Sequence, residues 1–218
     1  MRNISLRQIA TFLFFSLVSL SLATVTTVKV LGGAPLGDFR GIVLLLFGLL
    51  SFYIFSILTY RAFLWVFPLH PGEIEPKSKQ EFIYHVYILF YLMLFYPVMR
   101  SGFVPAPLMR VFYLCLGTQM GKNTYTQGII HDPPFVDIGN DSVIGQFAIL
   151  VPHVIEGERL AHYPIKVGNH VTIGAHASIL ADVTIGDGAI VATGSVVRKG
   201  SRIGAGETWG GVPAVRIR

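Results

Sequence analysis

Seven histidines and a single cysteine are the side chains of this 218-residue chain best suited to moving protons or attacking a carbonyl. A histidine titrates near neutral pH, so one oriented by a neighbour takes a proton from a hydroxyl or an amine. His153 follows Val151-Pro152 and has Glu156 and Glu158 close enough to orient or charge-stabilise an imidazole. His131 stands before Asp132-Pro133-Pro134, and His162 two residues before Pro164. His153, His131, His162 and Glu156 are therefore the candidate catalytic groups, with His153 first as general base and Asp132 and Asp137 as alternative orienters. His70 and His85 flank or enter apolar runs, and His170 and His176 read as outward corner residues. Cys115, alone, excludes an internal disulfide and any CxxC metal pair, and no metal site is expected.

The elements that hold these groups announce themselves by a count. Ile138, Ile144 and Leu150 are followed, after one interruption, by Val167, Ile173, Ile179, Ile185, Val191, Val197, Ile203 and Trp209, and glycine or alanine usually comes next. A fixed period of six with one aliphatic per unit is the signature of a parallel β-helix. Three hexads make a triangular coil, so eighteen residues return the chain above itself and the lead aliphatic fills the interior. Met120, eighteen residues before Ile138, is the expected first member of that column. Val167 stands seventeen positions after Leu150, where two hexads need twelve. Five are therefore expected to be extruded as a loop opened by His153 and closed by His162, and protruding loops commonly carry function.

The preceding half is of another kind. Hydrophobic residues make up 52% of the chain and charged residues 13%, with the excess concentrated before Gly117. Residues 41–60 are uncharged over a length that crosses a hydrocarbon core, and residues 9–28 form a second such run. The first run has a rival reading as a cleaved signal peptide ending near Ser21-Leu22-Ala23. Arg2 and Arg7 precede the hairpin and Arg61, Lys77 and Lys79 follow it, which favours both ends inside. The expected arrangement is an integral protein of a bacterial inner membrane, with a membrane domain over 1–117 and a cytoplasmic repeat domain over 118–218. Residues 82–99 and 104–116, aromatic-rich and proline-bounded, read as a re-entrant or interfacial pair; a crossing by 82–99 alone would move the repeats to the other side. The net charge of +5 is not laid out as a basic stripe interleaved with aromatics, so no nucleic-acid partner is expected.

The pattern Ile-Gly-x-x-Ser/Ala/Val, ending in Trp209-Gly210-Gly211-Val212-Pro213-Ala214-Val215-Arg216, resembles the hexapeptide-repeat acyltransferases over roughly residues 117–218. That resemblance implies a left-handed parallel β-helix, a homotrimer with active sites in clefts between neighbouring subunits, and acetyl-CoA or another acyl-CoA as co-substrate. It implies transfer to a hydroxyl or amine with a histidine base and no covalent intermediate. His153 matches the histidine of members whose loop interrupts the coil at this point, and His131 has a context comparable to that in serine-acetyltransferase-like members. Acyl-CoA would lie along the wall past Gly174, Ala192 and Trp209, with its nucleotide end near Gly211, Pro213 and Ala214. Arg198, Lys199, Arg202 and Arg216 would meet its phosphates, a task suited to cationic side chains.

Three further segments, around Phe67-Pro68-Leu69-His70, Leu114-Cys115-Leu116-Gly117 and Pro152-His153-Val154-Ile155, resemble the membrane-embedded C-terminal part of poly-lysine-synthetase-type peptide synthetases. Together with the apolar half, this implies a lipid-linked or membrane-delivered acceptor. Two other readings remain at this level: a zinc β-helix like the γ-class carbonic anhydrases, and a trimeric membrane scaffold without chemistry. Against the first, His170 and His176 are six apart, on adjacent faces. Sugar nucleotidyltransferases share such a helix but need a preceding nucleotide-binding domain, where this chain is apolar.

Overall fold

The structure, a computed structural model, describes residues 2–218 and divides into two compact units. The first comprises residues 2–69 and 77–96 and is helical. Helix α1 (Leu6–Leu31) starts from Ser5, whose backbone and side chain exchange hydrogen bonds with Gln8 in a capping box. Its last carbonyls, at Gly32 and nearby at Ala34, accept from the Arg40 guanidinium at 2.7 and 3.1 Å. Helix α2 (Arg40–Val66) runs back beside it, joined by a hydroxyl contact of 2.9 Å between Ser19 and Thr59. Helix α3 (Lys79–Phe90) is capped by Ser78 and packs through aromatic edges, with Phe12 against Phe90 at 5.3 Å.

Helix α3 does not stop where its aromatics and proline suggest. It continues through a wide π turn (Tyr91–Phe95) into α4 (Tyr96–Arg100). The wider turn just ahead of Pro97 accommodates the hydrogen bond that its ring cannot make. Three helical segments, Leu6–Leu31, Gly37–Val66 and Lys79–Arg100, are thus long and apolar enough to cross a membrane. Residues 82–99, expected as a re-entrant or interfacial segment, lie within a 22-residue helical run.

The second unit, residues 70–76 and 97–218, is built on the count of six. One parallel sheet stacks β2 (Gln119–Met120), β5 (Val136–Ile138), β10 (Ile165–Val167), β13 (Thr184–Ile185) and β16 (Arg202–Ile203). A second stacks β3 (Tyr125–Thr126), β6 (Val143–Ile144), β11 (Thr172–Ile173), β14 (Ile190–Val191) and β17 (Thr208–Gly211), the last paired antiparallel with β18 (Ala214–Arg216). The third stacks β4 (Ile129–Ile130), β7 (Ile149–Leu150), β12 (Ser178–Ile179) and β15 (Val196–Val197). Met120 does begin the column: it aligns with Ile138, and that column runs on through Val167, Ile185 and Ile203. The coils lie so close that a Cβ on Gly174 would sit 2.5 Å from the Thr193 amide nitrogen, which is why small residues follow the aliphatics.

Two expectations need correction. Ile138 aligns with Val167 and Leu150 with Ile179, each 29 residues on, whereas Val167 aligns with Ile185 after 18. The insertion is therefore eleven residues, not five: Leu150 and Val167 are separated by a single hexad plus an excursion. That excursion is an ordered hairpin of β8 (His153–Glu156) and β9 (Arg159–His162), turned at Gly157 with φ +61° and extended by β1 (Gly72–Glu73) on its outer edge. The second correction concerns 104–116. Helix α5 (Ala106–Leu116) belongs with the repeats and plugs the open end of their column. The fully buried Tyr113 hydroxyl donates to the Gly128 carbonyl (3.0 Å) and accepts from the Ile130 amide (3.1 Å), and Arg110 donates to the Gly121 carbonyl. Those first-coil groups have no coil below them to bond, so a polar-tipped helix serves them better than lipid. The boundary thus falls before the helix rather than at Gly117.

Candidate active site

The site forms where the hairpin folds back on the turn after β4. That turn carries Asp132 with φ 44° and ψ 64°, a left-handed conformation that aspartate tolerates better than most residues. Pro133–Phe135 follow as a single 3-10 turn, closed by the Phe135 amide on the Asp132 carbonyl (2.9 Å). The Asp132 carboxylate is thereby held inside, its side chain 1% exposed. From the other side, antiparallel register sets His153 directly opposite His162 across the hairpin. Cross-strand partners share one face, so both imidazoles are delivered to the same place.

That place is Asp132. His153 Nδ1–H donates to Oδ2 at 2.5 Å, and His162 Nε2 lies 3.7 Å from Oδ1. His162 is fully buried and stacked on the Phe135 ring (4.5 Å between centroids, 13° between planes). His131, one residue before the aspartate, meets the His153 ring edge-on at 5.7 Å. His153 reaches solvent, with 22% of its side chain exposed, and His131 is likewise half-buried, whereas Asp132 and His162 are closed off.

The electrostatics follow from this packing. Burial works to raise the Asp132 carboxyl, but the His153 hydrogen bond, with the His153 and His162 imidazoles beside it, outweighs burial and holds the group ionised well below the usual carboxylate range. Burial works to lower His153, yet the Asp132 hydrogen bond and charge prevail and raise it. His131 goes the other way, since burial outweighs the help of Asp132 and lowers it. A carboxylate on Nδ1 fixes the tautomer and leaves Nε2 with its lone pair to take a proton.

The other expected site residues are placed as follows. Glu156 lies three positions beyond His153 on β8, and strand alternation turns it to the opposite face. It is exposed and pairs with Lys199 and, at 3.3 Å, with Arg159, so it does not orient His153; Asp132 does. Asp137 lies on β5, one strand on from the turn. Three of the four cations assigned to phosphates have carboxylate partners: Lys199 holds Glu156, Arg202 forks onto Asp182 at 3.0 and 3.1 Å, and Arg216 meets Glu207 at 3.1 Å. Among the described residues Arg198 has no ion pair, and its carbonyl accepts from Ser201. Trp209 continues its column above Val191 and donates Nε1–H to Glu207 at 2.8 Å. Gly211 (φ +98°), Pro213 and Ala214 form the turn between β17 and β18. Gly174 and Ala192 stand at coil corners, Ala192 bonding to the Trp209 carbonyl. A cleft of about 210 Å³ opens between hairpin and coil wall, lined in part by Arg159, Tyr163, Asp182 and Lys199.

The sequence signal for Asp132 was its position between a histidine and two prolines, which force a turn. What sequence distance hid is that the turn faces a hairpin twenty-one residues away.

Comparison with known proteins bears on the repeats. Residues 164–199 match the family profile described as bacterial transferase hexapeptide (six repeats). No curated protein matches the chain. Among solved structures, a hexapeptide-repeat-containing acetyltransferase from Vibrio cholerae O1 biovar eltor, VCA0836, complexed with acetyl coenzyme A, is 24% identical over 47% of this chain and 60% of its own, with a TM-score of 0.44. A galactoside acetyltransferase in complex with coenzyme A is 22% identical over 76% and 81%, with a TM-score of 0.40. Soybean serine acetyltransferase is 19% identical over 91% and 69%, with a TM-score of 0.38. The chain thus spans about 60% of the length of the Vibrio protein.

Proposed function

We propose that this chain is a membrane-bound acyltransferase that moves an acyl group, acetyl in the simplest case, from acyl-CoA to a hydroxyl or amine. The observation that carries the reading is the His153–Asp132 pair, with its buried, ionised carboxylate on Nδ1 and its exposed imidazole edge. The hexapeptide-transferase match supports the scaffold. The β-helix is taken as left-handed and the working form as a homotrimer, in which a neighbouring subunit closes the cleft beside His153.

In this mechanism His153 Nε2 takes the proton of the acceptor as its oxygen or nitrogen attacks the thioester carbonyl. The tetrahedral oxyanion then collapses and the carbon–sulfur bond breaks. The imidazolium returns its proton to the departing CoA thiolate. Asp132 stabilises the imidazolium between those two events. No covalent enzyme intermediate is needed. Acyl-CoA would run along the coil wall past Gly174, Ala192 and Trp209 to the Gly211–Ala214 turn, with Arg198 the cation most available to its phosphates.

The three apolar helices point to an acceptor that is lipid-linked or delivered at the bilayer. Because acyl-CoA is cytosolic, the repeat unit is assigned to the cytoplasmic side, which requires that α1 and α2 cross as a hairpin and that Lys79–Arg100, though long enough, does not cross. Cys115, exposed on α5, reports this directly: an impermeant maleimide should label it in inverted vesicles and not in intact cells. The activity is tested by incubating the detergent-solubilised protein and a membrane extract with labelled acetyl-CoA. Label should reach a membrane-extract component with wild type and not with His153→Ala. Equal labelling by both proteins sinks the catalytic assignment. Stoichiometric zinc in the purified protein would instead favour the carbonic-anhydrase-like alternative.

A further inference from the structure

Asp132 is shared, and the base needs only one of its oxygens. We propose that His162 is a positioning residue: its imidazole lies against the second oxygen of Asp132 and so sets how strongly the carboxylate holds the proton on His153. The inference rests on His153 being the base, but it is read on the His153 imidazole itself.

Three observations meet at His162. First, register makes it the direct cross-strand partner of His153 and, on its other edge, of Gly72, so its backbone is clamped on both sides. Second, its ring is sealed: the side chain is 0% exposed and lies flat on Phe135, which belongs to the same turn as Asp132. An imidazole in that setting cannot meet an acceptor, which removes it as a rival base. Third, its Nε2 lies 3.7 Å from Oδ1, too far for a hydrogen bond but near enough to act through charge and dipole, while His153 Nδ1 holds Oδ2. A buried carboxylate gives up less negative charge to one partner when another shares it.

The groups facing this arrangement are few. Asp132 is faced by His153 and His162 from the hairpin; His153 is faced by Asp132 and by His131 from the turn itself. Removing the His162 imidazole leaves Asp132 more negative toward His153 and draws the proton on more tightly. Since the base must be unprotonated to act, the acid limb of the activity profile moves to higher pH with it.

The test compares two variants of the full-length chain in detergent. His162→Leu keeps bulk but removes the polar ring; His162→Gln places an amide nitrogen near the position of Nε2. Ring-nitrogen NMR of His153 should show its titration midpoint rising by about one unit in His162→Leu and returning toward wild type in His162→Gln. Thermal unfolding checks that both remain folded. A folded His162→Leu protein with an unmoved His153 midpoint overturns the proposal, as does an equal rise in both variants, which would mark His162 as packing alone. Because the readout needs no acceptor, a protein without acyl-transfer activity that still shows the shift would refute the function above and leave this inference standing.

Discussion

Two polar clusters lie on the repeat unit, and they differ in kind. One gathers Asp132, His153, His162 and His131 behind the hairpin; the other spreads Lys199, Arg202 and Arg216 over the C-terminal coils. The second has more formal charge, yet each cation is exposed and has a carboxylate within reach. The first has a single carboxylate, 1% exposed, approached by two imidazoles. Exposed pairs sit in high dielectric and exchange freely with water, so their charges are nearly spent. A buried group is held to its partners and transmits every change to them. The proposed proton chemistry therefore draws on the cluster with fewer charges.

Mutations can break this contrast, and the deepest cut is at Asp132. Asp132→Asn replaces the acceptor on Nδ1 with an amide that favours the wrong tautomer, and turnover should fall by about 10⁴-fold with little change in KM. His153→Gln should lose about 10²- to 10⁴-fold. Because the two act as a unit, the double variant should be scarcely worse than Asp132→Asn alone, and additive losses in kcat would separate them.

The pH dependence sharpens the contrast more gently. Activity needs neutral His153, whose raised titration puts the acid limb above the ordinary 6.5, with a loss of about tenfold per unit below it. Stability carries the opposite sign. A raised imidazole stabilises fully below 6.5 and loses that contribution as pH rises through its folded value. A depressed carboxyl stabilises above 3.8 and loses it as pH falls. His131, lowered by burial, works against folding below 6.5, and more so in the variant, which lacks the Asp132 charge that supports the imidazolium. The gap in unfolding midpoint between wild type and Asp132→Asn should therefore be widest between 3.8 and 6.5, and a gap constant with pH would show that the pair is not ionised. The smallest effects belong to the exposed cluster: Lys199→Ala and Arg202→Ala should each change KM for acyl-CoA by about fivefold at most. A much larger rise would mean that these cations leave their carboxylates for the CoA phosphates, and would erase the distinction.

Much of the wall was legible because its physics is local and repeated. One aliphatic every six residues placed Met120 above nothing and beneath Ile138, and Trp209 above Val191, as the registers have them. The length of the interruption was not legible. Ile155, Leu160 and Ala161 look like hexad members, and only the pairing of Val167 with Ile138 assigns them to a hairpin. Glu156 is a related case: it is near His153 along the chain, yet strand alternation turns it to the opposite face. Asp132 and His153 are joined by tertiary register alone, which no spacing rule encodes. Helix α5 was ambiguous because an apolar helix that plugs a column and one that rests on a bilayer present the same composition.

The two closures of the column have a consequence for solubility. A parallel ladder of identical coils has no intrinsic length, and its bare ends are templates on which another chain could continue the stack. Tyr113 occupies backbone groups at the first coil, and β18, bearing Arg216, covers one sheet at the last. A chain stripped of α5 or cut before Ala214 should keep its coils and lose its ends, and so grow by addition into fibres rather than unfold.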